Sequence, residues 1–362
     1  MYTSFSLLSF RRLFVMLVAL FGFALAGCDK NDVAKPAPTP EQNIEQLARG
    51  NSALSIVQVA QSNPNFSVLV AAVVKADLAT TLSSAGPFTV LAPTNAAFAR
   101  LPAPFNTAAN ITAITDAAQV AALKNILLYH VLAGRKAAAD FPTGTSAQVT
   151  AKPASAPDVN DNTVYISKNN NRLFDRILIN GNTRVITADI AASNGIIHAI
   201  DKVLMFPTGK ITDLVVAATT GSNPQFTLLL KALQRPAAAA LLTAAADPAS
   251  NLTVFAPTDA AFRLLLAQLH LNDLDQVPDA TLVAVLKLHI IGSRAFSSDL
   301  SSGSFFSNQV VTTLGGPVTV AGTVSFLTVR GPGNKFAPAN ARPTDLLASN
   351  GVVHVIDRVL LP

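Results

Sequence analysis

The chain has 362 residues, half of them hydrophobic and only 13% charged, which is enough apolar material to core two or three domains. Its formal net charge of +5 comes without a run of Lys or Arg, and a nucleic-acid binder gathers its charge into a stripe, so that class is set aside. Trp is absent and Tyr rare, so the cores must be aliphatic and Phe-based; the single cysteine excludes a disulfide framework and a cysteine metal cluster.

The chain opens with Arg11 and Arg12 ahead of an apolar stretch from Leu13 to Ala26. That stretch is shorter than the about 20 residues of a membrane-spanning helix and fits the core of a secretory signal. It closes on Leu25-Ala26-Gly27-Cys28, which resembles a bacterial lipobox. The resemblance implies a signal peptide over residues 1–27, cleavage before Cys28, and diacylglycerol on its thiol. Arg11-Arg12-Leu13-Phe14 also resembles a twin-arginine signal, but so apolar a core suits the general secretory route. Residues 28–50 include KPAPTPEQ, whose prolines and polar residues build no core. They are expected to tether the rest of the chain to the bacterial cell envelope, on its extracytoplasmic side. Asp29 resembles an inner-membrane retention signal, which leaves inner and outer membrane both open.

Beyond the tether the sequence is written twice. TVLAPTNAAF at 89–98 returns as TVFAPTDAAF at 253–262, and ASNGIIHAIDKVLMFP at 192–207 returns as ASNGVVHVIDRVLLP from 348. Two domains are expected, 51–207 and 208–362. In the first, Thr89-Val90-Leu91 reads as a strand, and Pro93 keeps the next step extended. Thr94 or Asn95 can cap a helix carrying Ala96, Ala97 and Phe98; Thr258 or Asp259 does so in the second copy. Phe98 and Phe262 are expected to plug the cores. Leu123, Ile126, Leu127, His130 and Val131 follow one helical face, as do Leu282, Val285, Leu286, His289 and Ile290. Ile196 to Ile200 reads as a strand opened by a turn at Asn194-Gly195, and Asn350-Gly351 repeats that turn. RGPGNKFAPAN at 330–340 predicts an irregular stretch of sheet in the second copy, where the first has regular strand signals. Helical signals come early in each copy and strand signals late, which predicts an α+β fold.

Four of the five histidines fall in repeat pairs, His130 with His289 and His198 with His354. Duplicated fold determinants are unavoidable in a repeat, so these are read as structural, with Asn194, Gly195, Asn350 and Gly351. Ser193, His198 and Asp201 tempt a hydrolase reading. Yet His198 and Asp201 are three apart on a strand and point to opposite faces, which a catalytic triad cannot use. No nucleophile elbow, phosphate loop, dinucleotide fingerprint or zinc spacing is present. No catalytic residue, metal or cofactor is expected. Asp201 and Asp357 are assigned to the strand edge or a neighbouring loop, and Asp189 and Asp345 chiefly to a turn.

FTVLAPTNAAF, LLYHVLAG, ILINGN and DIAASNGIIHAIDKVLMFP in the first copy, with LTVFAPTDAAF, LKLHIIG and DLLASNGVVHVIDRVLLP in the second, resemble tandem fasciclin (FAS1) domains. The resemblance implies a β-sandwich-like wedge with a helical layer, at a cell surface, in adhesion and without general catalytic activity. In animal members a Tyr-His region and an Asp-Ile pair are associated with integrin binding. Tyr129, Asp189 and Ile190 match those positions; the second copy offers Leu288, Asp345 and Leu346. The candidate binding surface is therefore Tyr129, Asp189, Ile190, Asp345 and Leu346, with the first copy favoured. The expected partner is an extracellular or envelope protein or a polysaccharide, beside the membrane reached through the lipid anchor. A small-ligand- or polymer-binding accessory protein or an unfamiliar envelope hydrolase is the alternative.

Overall fold

A computed structural model of the protein describes residues 52–155, 160–169, 176–220, 223–301, 304–324, 326–334 and 337–362. The signal-like segment, Cys28 and the Pro-rich tether lie outside the described residues.

The first copy begins with α1 (Ile56–Ser62), α2 (Ser67–Lys75) and α3 (Ala79–Ser83). Ser55 starts α1 through a reciprocal cap: its hydroxyl accepts from the Gln58 backbone, and the Gln58 side chain accepts from Ser55. Strand β1 (Phe88–Pro93) follows, then α4 (Asn95–Phe98), α5 (Ala108–Thr112) and α6 (Ala117–Leu128). The remaining elements are β2 (Val131–Ala133), β3 (Gly144–Val149), β4 (Thr163–Asn169), β5 (Arg176–Ile179), β6 (Thr183–Ala192) and β7 (Gly195–Ile200). They form one sheet in the order β2-β1-β7-β6-β5-β4-β3. Thr150, one residue past β3, bridges back to Leu132 in β2, so the sheet curls almost closed. β1 and β7 pair in parallel, with Leu91 opposite His198. A parallel pair needs a long crossover, and nearly the whole copy serves as that crossover.

The second copy repeats this plan. α7 (Ile211–Ala217), α8 (Thr227–Gln234) and α9 (Ala239–Ala246) precede β8 (Leu252–Pro257), α10 (Asp259–Gln268) and α11 (Asp279–Leu288). Next come β9 (Ile290–Ile291), α12 (Ser297–Leu300), β10 (Ser304–Thr313), β11 (Gly316–Thr323) and β12 (Phe326–Arg330). β13 (Ala339–Ala341), β14 (Leu346–Ala348) and β15 (Gly351–Ile356) complete it. The sheet runs β10-β11-β12-β13-β15-β8-β9, with β14 also on β15. β13 is three residues long, and no strand is assigned to the described residues between Arg330 and Ala339, where the prolines and glycines cluster.

Each central parallel pair is covered on both sides, so every residue of β7 and of β15 is buried. One face meets the helices: Phe66, Phe98, Leu123 and Ile197 share one cluster, and Phe226, Phe262, Leu282 and Val353 the matching one. The other face fills the wedge with Leu91, Tyr129, Ile166 and Ile200, or with Phe255, Leu288, Val320 and Ile356. At about 25 cal/mol per Å² of apolar area removed from water, two-sided burial makes these strands the most strongly held part of each copy.

The helical face expected to run through Val131 stops early. α6 ends at Leu128, and Val131 already pairs with Val90 of β1. His130 causes the break: its Nδ1 reaches back 2.7 Å to the Ile126 carbonyl that the next helical turn would have used. His289 does the same to Val285 at 2.8 Å, and Ile290 starts β9.

Candidate functional site

Two of the paired histidines, His198 and His354, lie within β7 and β15, and the other two, His130 and His289, lie between a helix and the short strand after it; each copy uses them identically. His130 Nδ1–H donates to Ile126, and its Nε2 accepts from the Leu204 backbone N–H at 2.9 Å. His289 stands between Val285 and Leu360 at matching distances. His198 has the opposite tautomer: Nδ1 accepts from the Asp189 N–H at 3.2 Å, and Nε2–H donates to the Lys136 carbonyl at 2.9 Å. His354 does this with Asp345 and Ala295. Both ring nitrogens of all four are thus held by main chain, one as donor and one as acceptor, which only a neutral imidazole satisfies. Burial lowers every one of these pKa values, and His130 and His289 fall to about 4.

Asn194 and Asn350 tie the strand pair to the first helix. Asn194 Oδ1 accepts from the Ile56 N–H at 2.9 Å, and its Nδ2 donates to Leu82 and Ser84, each at 2.8 Å. Asn350 joins Ile211, Ala245 and Asp247 in the same way. Gly195 and Gly351 were expected to supply a turn, and here the structure corrects the sequence reading. Neither has a positive φ; the turn is made by Ser193-Asn194 and Ser349-Asn350, and each glycine is the first residue of its strand. The reason for glycine is proximity. A Cβ on Gly195 would lie 2.1 Å from the Phe88 carbonyl oxygen, and one on Gly351 2.2 Å from that of Leu252.

The expected contact residues are not brought together at the surface. Tyr129 is fully buried, its hydroxyl donating to the Thr163 carbonyl at 2.7 Å and accepting from Asn180 Nδ2. Ile190 is also fully buried, because a register shift in β6 turns it onto the helix-side core. Neither presents area to a partner. Period-2 counting could not anticipate that shift. Asp189 is exposed and has φ +61°, with its carboxylate accepting from the Ala138 N–H at 2.8 Å. Asp345 has the same φ but is buried, its two oxygens taken by the Ser297 N–H at 2.7 Å and hydroxyl at 2.5 Å. Leu346 is half-buried beside it.

The difference between the two corners comes from the contact between copies. Gly181, in the β5–β6 turn, packs so closely on Asp345 that a Cβ there would lie 2.5 Å from the carboxylate carbon. Tyr165 stacks on Phe296 with ring centroids 5.4 Å apart, and Arg294 lies 4.4 Å over the same Tyr165 ring. Ser298 donates to Ser167 at 3.0 Å, and Thr145 bonds Asp299. The second copy's Asp-His corner is thus covered by the first copy, whereas the first copy's own corner is open. Nothing in the ten-residue repeats signals this, because the covering residues lie where the copies differ.

The arrangement offers little chemistry. Ser193, His198 and Asp201 do not meet: Asp201 is held by the Arg184 N–H and Nε at 2.8 Å each, while both nitrogens of His198 are engaged elsewhere. Ser297, Asp345 and His354 do lie together, but the serine donates to the carboxylate rather than to the imidazole, whose nitrogens are held by main chain, so the Ser-His relay of a triad is not formed. Among the described residues no group of His, Cys, Asp or Glu is arranged to hold a metal ion.

The fasciclin domain profile matches residues 64–206 and again 224–362. Protein sll1483 of Synechocystis is 39% identical over 193 residues, 53% of this chain and 96% of its own. The transforming growth factor-beta-induced protein ig-h3 of Sus scrofa is 27% identical over 277 residues, 76% of this chain and 35% of its own. Among solved structures, a FAS1 domain pair from the insect cell adhesion molecule fasciclin I covers 76% of this chain and 88% of that chain at 20% identity, with a TM-score of 0.34.

Proposed function

Because the chain belongs to the fasciclin domain family, we propose that it is a non-catalytic adhesion protein, anchored by lipid on Cys28 to the outer side of a bacterial envelope membrane. Its partner is an extracellular or envelope macromolecule. The anchor rests on Leu25-Ala26-Gly27-Cys28 after a short apolar core. Two acyl chains on one residue make a durable attachment, which one alone does not. The non-catalytic reading is supported by the histidines, whose four imidazoles are all committed to main-chain groups.

The observation that carries the reading is the asymmetry between the two corners. The second copy's corner at Asp345 is closed by Gly181, and the equivalent corner at Asp189 faces solvent. A surface that one copy already uses to hold a fasciclin domain is left free on the other copy. Ile186, three residues before Asp189 in β6, is 45% exposed and offers an apolar contact that the buried Tyr129 and Ile190 cannot supply. Adhesion of the full chain to native envelope fractions tests this. Ile186→Glu should weaken adhesion about threefold or more with the melting temperature unchanged; undiminished adhesion would remove this corner from consideration. For the anchor, Cys28→Ser should abolish palmitate incorporation, and labelling that persists in the variant would defeat it.

A further inference from the structure

Beside the contact between copies lies an open groove of about 1320 Å³, with walls from both copies. Among the described residues five cationic side chains line it: Arg100, Lys168, Arg184 and Lys202 from the first copy, and Arg342 from the second. Two carboxylates among the described residues accompany them, Asp201 and Asp299. Asp201 is paired with Arg184, and Asp299 is engaged by Thr145 and by the Phe296 N–H, with burial pushing its carboxyl above the ordinary range. The other four cations have no ion-pair partner among the described residues. Lys168 donates to the carbonyls of Ala139 and Phe141, and Lys202 to the Asn182 amide oxygen, all neutral acceptors.

From this we infer that the groove binds a segment of an anionic polysaccharide, whose carboxylate or sulfate groups are met by Arg100, Lys168, Lys202 and Arg342. Size argues for a polymer, because pockets for single small ligands run about 300–1,000 Å³ and enclose their ligand. The lining argues against a nucleic acid. Among the described residues it holds no aromatic side chain on which a base could stack. It is rich instead in short hydrogen-bonding groups such as Asn182, Thr323 and Thr344, which suit a hydroxylated chain. Burial also draws the Lys202 pKa below the ordinary lysine value, against attraction from Asp201 and Asp345 and with Arg100 and Arg184 adding repulsion. An incoming anion restores that charge. The inference deepens the adhesion reading by naming the chemistry of its partner, and it places this contact at the groove, apart from the Asp189 corner.

The test uses the full chain in detergent, titrated with polygalacturonate, dextran sulfate, neutral dextran and oligothymidylate. One or both polyanions should bind, with affinity falling between about 50 and about 200 mM salt, and neutral dextran should not. Which polyanion binds separates carboxylate from sulfate recognition. Arg100→Gln with Arg342→Gln removes one cation from each wall at exposed positions and should weaken binding about tenfold or more at an unchanged melting temperature. No polyanion binding, an unaffected variant, or equal affinity for oligothymidylate overturns the inference. Envelope adhesion measured on the same proteins keeps the two readings apart. Adhesion that persists without polyanion binding sinks the groove alone, and polyanion binding without adhesion sinks the adhesion reading alone.

Discussion

At the scale of single residues, the four buried histidines make the protein sensitive to mild acid. In the folded chain His130 and His289 hold pKa values of about 4, against 6.5 for an unstrained imidazole, because burial disfavours the cation. Between those values the unfolded chain binds protons that the folded chain refuses, so stability rises with pH across that window. The stabilisation is complete above about pH 6.5 and is lost as pH falls towards about 4. His198 and His354 shift in the same direction. Each of His130 and His289 contributes roughly 3 kcal/mol. Urea midpoints measured from pH 7 to pH 5 should therefore fall steadily, before most carboxylates titrate. A flat profile there would mean that the imidazoles are not held neutral.

At the scale of elements, the parallel pairs β1·β7 and β8·β15 depend on glycine at one position each. A methyl group on Gly195 would be driven into the Phe88 carbonyl at 2.1 Å, and the Ile56 side chain blocks retreat on the helix side at 2.9 Å. Gly195→Ala must therefore push β7 away from β1 or shift α1, at a cost of about 3 kcal/mol or more. Gly351→Ala should act alike in the second copy through Leu252 and Ile211. Chemical denaturation reads both, and a loss below about 1 kcal/mol would show that the strands can slide apart freely. By the same logic Asn194 and Asn350 pin helix to strand with three hydrogen bonds each, holding the turns whose following residues must be glycine.

At the scale of the whole molecule, the contact between copies sets what is free to bind. Gly181 takes a positive φ and rests on Asp345, and Ser298 faces Ser167. Gly181→Leu or Ser298→Arg should wedge the copies apart, and the second substitution does so without a backbone penalty. Calorimetry of the intact chain should then resolve two transitions where the native protein melts as a coupled pair. One unchanged transition in both variants would show that the contact carries no coupling. The groove with Arg100 and Arg342 on opposite walls belongs to this scale too, since neither copy alone encloses it.

The sequence by itself determined the duplicated plan. Its repeated landmarks reveal the two copies, the early helices and late strands, and the plugs Phe98 and Phe262, and its Gly and Pro residues the irregular stretch around RGPGNKFAPAN. All of these follow from local pattern, because apolar periodicity and turn chemistry act over a few residues. Tertiary structure alone decided which residues face outward. Tyr129 looks like a surface aromatic on a helix, yet the helix ends one residue earlier and the ring turns into the wedge beside Phe206. Ile190 is carried inward by a register shift that no alternation encodes. Asp189 and Asp345 are near-identical in local sequence and in φ, but one is exposed and the other buried. The physical reason is that exposure depends on what packs against a residue from far along the chain. Gly181 closes one corner, nothing among the described residues closes the other, and neither fact is written in the residues of the corner itself.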